Sequence, residues 1–156
     1  MFATIRVDVV ARDAEIAATQ QMPLPGMLDF AAIPAGSIEA VDPRQHFAEK
    51  LHALTRDYGN RPNTRIKDLA DLVLLIESGL LADASLVEIV RHVFAVRATH
   101  PLPAEIPELP PSWRDGYPLV AESLTVTDPD LATAVELWRE FWKQAVKTGD
   151  PAPTWR

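Results

Sequence analysis

With 156 residues, 47% of them hydrophobic and 24% charged, the chain has material for one ordinary core and needs no cross-links to hold it. It contains no cysteine, which excludes disulfides, thiolate catalysis and cysteine-ligated zinc and is compatible with a reducing compartment. The formal net charge of −7 opposes bulk association with polyphosphate backbones, because such affinity depends on the phosphates that Lys and Arg neutralise. No apolar run approaches a membrane span, and no basic region followed by an apolar core opens the chain, so a cytoplasmic protein without membrane attachment is the expectation.

Residues 2–11 read as a strand. Within it, Ile5-Arg6-Val7-Asp8-Val9-Val10 alternates enough to have one buried and one accessible face, so that Asp8 can project from a sheet. A second extended stretch is expected over Glu15 to Ala18, before Pro23, Pro25 and Gly26 break the chain, and a short strand over Ser37 to Val41. Asp42-Pro43 is a helix start: Asp caps exposed amides, and Pro has the φ of a first turn and needs no N–H there. That helix should run to about Arg56 with Phe47, Leu51 and Leu54 as its apolar stripe and Lys50 on the border. Asn63 or Thr64 is placed to cap a second helix, ending at Gly79, whose stripe is Ile66, Leu69, Leu72, Val73 and Ile76.

On this second helix Asp68 falls beside the stripe near Arg65, whereas Asp71 is expected to point away and pair with Lys67 at i,i+4. Asp68 can equally serve only as a first-turn carboxylate facing the helix dipole. Arg56, Arg61, Arg65 and Lys67 make a basic island between the two helices, which either solvates a loop or contacts phosphates. A third helix is expected from Asp83, carrying Leu86, Ile89, Val90, Val93 and Phe94. The proline-rich stretch from His100 to Pro111, interleaved with Leu102, Ile106 and Leu109, reads as an extended strap across the helices. Helices over Trp113 to Val126 and Asp130 to Lys147 follow; the last is expected to bury Leu131, Val135, Trp138, Phe141, Trp142 and Ala145.

The six glycines never reach the spacing of a phosphate-binding or dinucleotide loop. His46 and His52 lie on different helix faces and cannot share a metal, and His92 and His100 have no evident carboxylate partner. No strand-turn-helix elbow surrounds a serine. Asp8, Lys50 and Asp68 remain, a set suited to nucleotidyl transfer, in which carboxylates hold a divalent cation on a triphosphate and a lysine offsets charge on the leaving phosphates.

Five segments carry a resemblance to a known family. They are Ile5 to Val10, Leu24-Pro25-Gly26-Met27-Leu28-Asp29-Phe30, Phe47-Ala48-Glu49-Lys50-Leu51-His52-Ala53, Arg65-Ile66-Lys67-Asp68-Leu69-Ala70-Asp71-Leu72, and Phe94 to His100 ahead of the strap and Trp113. Over nearly its whole length the chain resembles the AbiEii/AbiGii-type nucleotidyltransferases, toxins of abortive-infection toxin–antitoxin systems within the DNA polymerase β-like superfamily. The resemblance implies a phage-defence enzyme that transfers a nucleotide from an NTP to RNA, tRNA as the expected acceptor, with Mg²⁺ and a cognate antitoxin. It also implies that Asp8 is a metal-binding carboxylate, that Lys50 contacts the triphosphate and that Asp68 is the acidic residue of the last motif, with Arg65 and Lys67 assisting at phosphate or acceptor.

Family members open with a Gly-Gly or Gly-Ser helix start and an Asp-x-Asp pair on the next strand, which have no counterpart here, so the chain is expected to correspond to the C-terminal portion of the family domain and to be inactive alone. The alternative is a non-catalytic helical module that binds an antitoxin or another protein. The fold expected is α/β of the α+β kind: a small incomplete sheet in residues 1–42, about five helices in 43–150, and a flexible tail in 151–156.

Overall fold

The computed structural model describes residues 17, 19–26, 29–103 and 106–149; the expected strand at 2–11, almost all of the stretch at 15–18 and the tail at 151–156 lie outside the described residues. The chain forms an α+β fold: among the described residues, a two-stranded antiparallel sheet precedes five α-helices. Strands β1 (Gln20–Pro23) and β2 (Ser37–Ala40) pair from Gln20 opposite Ala40 to Pro23 opposite Ser37. The sequence shows β1 only as a break at Pro23. Pro23 is tolerated because it ends a strand at a sheet edge, where no ladder N–H is required of it.

Helix α1 (Pro43–Thr55) starts as the Asp-Pro pair dictates: Asp42 Oδ1 accepts from the Arg44 amide at 2.8 Å, and Pro43 occupies the first turn. It ends where Arg56 turns to an extended conformation. Helix α2 (Ile66–Glu77) has Arg65 as its N-cap residue without a side-chain cap. Asn63 acts one turn earlier, its Oδ1 accepting from the Arg65 amide at 2.9 Å. At the other end Gly79 takes φ +90°, and the amides of Gly79 and Leu80 return to the carbonyls of Ile76 and Leu75. That left-handed turn closes the helix and is cheap only for glycine.

Helix α3 (Ala84–Arg97) is capped by Asp83, whose Oδ1 accepts from the Leu86 amide at 2.9 Å. Helices α4 (Trp113–Ser123) and α5 (Leu131–Gly149) complete the bundle. Helix α1 packs against both α2 and α3; α5 lies across α2 and α3, and α4 closes on α2 and α5. The core is built from Phe47, Leu51 and Leu54 of α1, Leu69, Leu72 and Val73 of α2, Leu86 and Val90 of α3, Tyr117 of α4 and Trp138 of α5. Burial of each large apolar side chain contributes about 1.5–3 kcal/mol.

On α5 the buried residues are Ala134, Trp138, Trp142 and Ala145, while Leu131, Val135 and Phe141 are half-buried against them. Leu102, Ile106 and Leu109 of the strap also lie half-buried on the core, so the described part of the proline-rich stretch covers the bundle. No described helix is long and apolar enough to cross a membrane.

Candidate functional site

Lys50 lies one α-helical turn after Phe47, at the edge of the apolar stripe of α1, where its four-carbon stem runs over the core and its ammonium reaches α2. Nζ donates to Asp68 Oδ1 at 2.9 Å and to Asp71 Oδ2 at 2.6 Å. Arg65 approaches the other Asp68 oxygen at 3.6 Å. Two cations and two carboxylates thus meet at the start of α2. Asp71 therefore does not pair with Lys67, as its i,i+4 spacing suggests. An i,i+3 pair also shares a helix face, and docking against α1 turns Asp68 and Asp71 together onto Lys50. Lys67 itself is exposed.

The environment keeps Lys50 charged. Burial alone would lower its pKa, but hydrogen bonds to Asp71 and Asp68 and the charges of both carboxylates outweigh that, and the ammonium titrates above its ordinary range. An ammonium carries three N–H donors, and two are engaged. About a quarter of the Lys50 side chain, 26%, is accessible, and its hydrogen bonds among the described residues are these two. Asp68 Oδ2 is buried and has no hydrogen-bond partner among the described residues, with the Arg65 guanidinium 3.6 Å away.

Asn63 fixes this arrangement from below. Its Nδ2 donates to the Leu54 carbonyl at 2.9 Å, its Oδ1 accepts from the Arg65 amide, and its own carbonyl accepts from Trp113 Nε1 at 3.1 Å. One side chain thereby ties the end of α1 to the entry of α2, and its backbone holds α4. Tyr58 adds a second tie. Its hydroxyl donates to the Ala53 carbonyl at 2.8 Å and accepts from Arg65 Nε at 3.0 Å, while the guanidiniums of Arg56 and Arg65 each stand 5.9 Å from its ring centre.

A separate polar cluster lies at the C-terminal end of α1, where it meets Phe94 of α3 and His100. His52, buried among α1 and α3, faces His100 with ring centres 4.6 Å apart, and Phe94 meets both edge-on. The Thr99 hydroxyl lies 2.9 Å from His52 Nε2 and 3.1 Å from His100 Nδ1, and Thr55 Oγ1 lies 3.0 Å from His100 Nε2. Burial first, then the charges of His100, Arg97 and Arg56, push the His52 imidazole down to about 4. The two histidines are 48 positions apart, so neither spacing nor periodicity could pair them; His100 has hydroxyl partners rather than a carboxylate.

Of the residues singled out from sequence, Lys50, Asp68 and Arg65 converge, Lys67 stays in solvent and Asp8 lies outside the described residues. Asp71, Asn63 and Tyr58 are the additions. For Asp71 the i,i+3 relation to Asp68 was the available signal. The arrangement does not fit a divalent cation: Lys50 stands where an ion bridging Asp68 and Asp71 would sit, and no group of three or more His, Asp and Glu side chains suited to a metal occurs among the described residues. A lysine held by two carboxylates with one free donor suits an anionic oxygen instead. No curated protein matches the chain. The sequence model of the AbiEii nucleotidyl transferase toxin of type IV toxin–antitoxin systems matches residues 2–147, and the chain belongs to that family.

Proposed function

We propose that this nucleotidyltransferase-family chain binds a nucleoside triphosphate through Lys50 and serves nucleotide transfer to RNA, with tRNA as the acceptor class. The observation that carries the reading is the third N–H of a lysine that Asp68 and Asp71 hold charged and oriented at the protein surface. Such a donor offsets charge on the leaving phosphates without moving during the reaction, because its partners have already fixed it. In this reading Asp68 and Asp71 are positioning residues, and Arg65 and Lys67 neutralise further phosphate or acceptor charge.

Asp8 is the residue proposed to face Mg²⁺. Asp8 by itself supplies too few ligands for a hard cation that takes about six oxygens, so the chain is proposed to bind nucleotide without transferring it. The family supports a cognate antitoxin as partner, and a role in phage defence belongs to the same proposal. As a second reading, the exposed apolar side chains of Met22, Phe30, Ile33 and Ile38 around the hairpin offer that antitoxin a docking surface and a purely interacting role.

The test is titration of the purified protein with a fluorescent NTP analogue, followed by incubation with labelled NTPs, Mg²⁺ and total tRNA. Saturable binding that Lys50→Ala weakens at least about tenfold, without label transfer, is expected. Absence of nucleotide binding would overturn the reading. Robust incorporation that Asp8→Ala abolishes would show a complete catalytic site and overturn the inactive form.

A further inference from the structure

In a chain of net charge −7, the loop between α1 and α2 gathers three exposed arginines, Arg56, Arg61 and Arg65, and Lys67 follows in the first turn of α2. Free arginine side chains on a loop sample many rotamers, and ordering them on a ligand costs free energy. Here the ordering is already done for two of them. The Tyr58 ring lies beside both Arg56 and Arg65, and its hydroxyl, tethered to the Ala53 carbonyl, accepts from Arg65 Nε.

Arg56, Tyr58 and Arg61 also line an open cavity of about 290 Å³, to which Pro107 to Pro110 of the strap contribute. Two acids border it. Asp57 is turned back into the loop, its Oδ1 accepting from the Gly59 amide at 2.7 Å, and Glu108 is exposed on the strap. The cavity itself balances Arg56 and Arg61 against these two acids, and Arg65 and Lys67 add positive charge beside it. Arg65 also connects it to the Lys50 site, since its guanidinium stands 3.6 Å from Asp68, which Lys50 contacts.

We propose that the Arg56–Tyr58–Arg61–Arg65 face is the docking surface for the single-stranded end of the RNA acceptor, with the strap cavity receiving one nucleotide. The inference rests on the transferase reading above. Preordered guanidiniums present planar forks that match phosphate oxygens, and a cavity whose lining includes Leu54, Leu109 and Tyr58 accepts a base or ribose without sequence demand. A strand seated there runs toward Lys50, where its end must arrive to meet a bound triphosphate.

The experiment is fluorescence anisotropy of labelled total tRNA and of a labelled single-stranded RNA octamer against the full chain at low salt, with NTP-analogue titrations run in parallel. The Arg56→Ala/Arg61→Ala variant should weaken both RNAs at least about tenfold, reduce the salt slope by roughly 0.7 for each phosphate that is no longer neutralised, and leave nucleotide affinity unchanged. Lys143→Ala, which removes a charge from the exposed face of α5, should leave RNA affinity unchanged. Thermal melts verify folding, since Arg56 and Arg61 are exposed. No RNA binding by the wild type, unchanged affinity in the double variant, an equal loss in Lys143→Ala, or tighter binding of a polyglutamate peptide than of RNA would each overturn the assignment. RNA binding that depends on Arg56 and Arg61 without any nucleotide binding would retain this surface and remove the Lys50 reading instead.

Discussion

The Lys50 ammonium on α1 and the Asp71 carboxylate on α2 stand 2.6 Å apart, and Asp68 accepts a second hydrogen bond from the same ammonium at 2.9 Å. Two half-buried to buried acids one turn apart therefore depend on one cation from another helix. Lys50→Met, which keeps the apolar stem, is expected to destabilise the fold by about 1–3 kcal/mol. The full penalty for breaking a buried pair is discounted here because part of the lysine is in water. Adding Asp71→Asn should recover part of the loss. Urea denaturation of the single and double variants checks both expectations.

Acid should weaken the fold through His52. Its folded imidazole titrates at about 4, against 6.5 when free, so between those pH values the unfolded chain binds a proton that the folded chain refuses. Stability is complete above the free value and is lost as pH falls toward 4, by up to roughly 3 kcal/mol. His100, also held below its ordinary range by burial and then by Arg56, acts in the same direction. Unfolding free energies measured at pH 5 and pH 7.5 should diverge in the wild type, and His52→Gln should narrow the difference.

Asn63→Ala removes a donor to the Leu54 carbonyl and an acceptor for the Arg65 amide, at an expected cost of about 1–2 kcal/mol. Because these two bonds fix the entry of α2, nucleotide affinity should fall as well. Asn63→Asp keeps the acceptor and should retain more affinity than Asn63→Ala, a difference that paired melting and titration measurements resolve.

Trp138 is fully buried among the helices, and its Nε1 has no hydrogen-bond partner among the described residues. Trp138→Ala should cost about 3–5 kcal/mol through the cavity it opens. Trp138→Phe should cost only about 1–2 kcal/mol, because the N–H it removes satisfies nothing. Chemical denaturation distinguishes the two.

Local chemistry made much of this architecture legible. Asp42-Pro43 and Asp83 mark helix starts because an acid there satisfies exposed amides within its own turn, and Gly79 marks a stop because only glycine takes its φ freely. The stripes of α1 to α3 could be read because burial repeats with the helical period. The strand at Gln20–Pro23 was hidden, since four exposed residues carry no alternation and gain their hydrogen bonds only from β2.

At the candidate site the sequence by itself singled out Lys50 and Asp68 as candidates, by residue type and by the resemblance of their helices to the family's motifs. Tertiary structure decided their company. Helix periodicity left Asp71 free to pair with Lys67 or to turn inward, and only the docking of α2 on α1 selected Lys50. The same holds for Arg56 and Arg65 on Tyr58 and for His52 on His100: each pairing depends on how separate segments approach in space, which no spacing along the chain encodes.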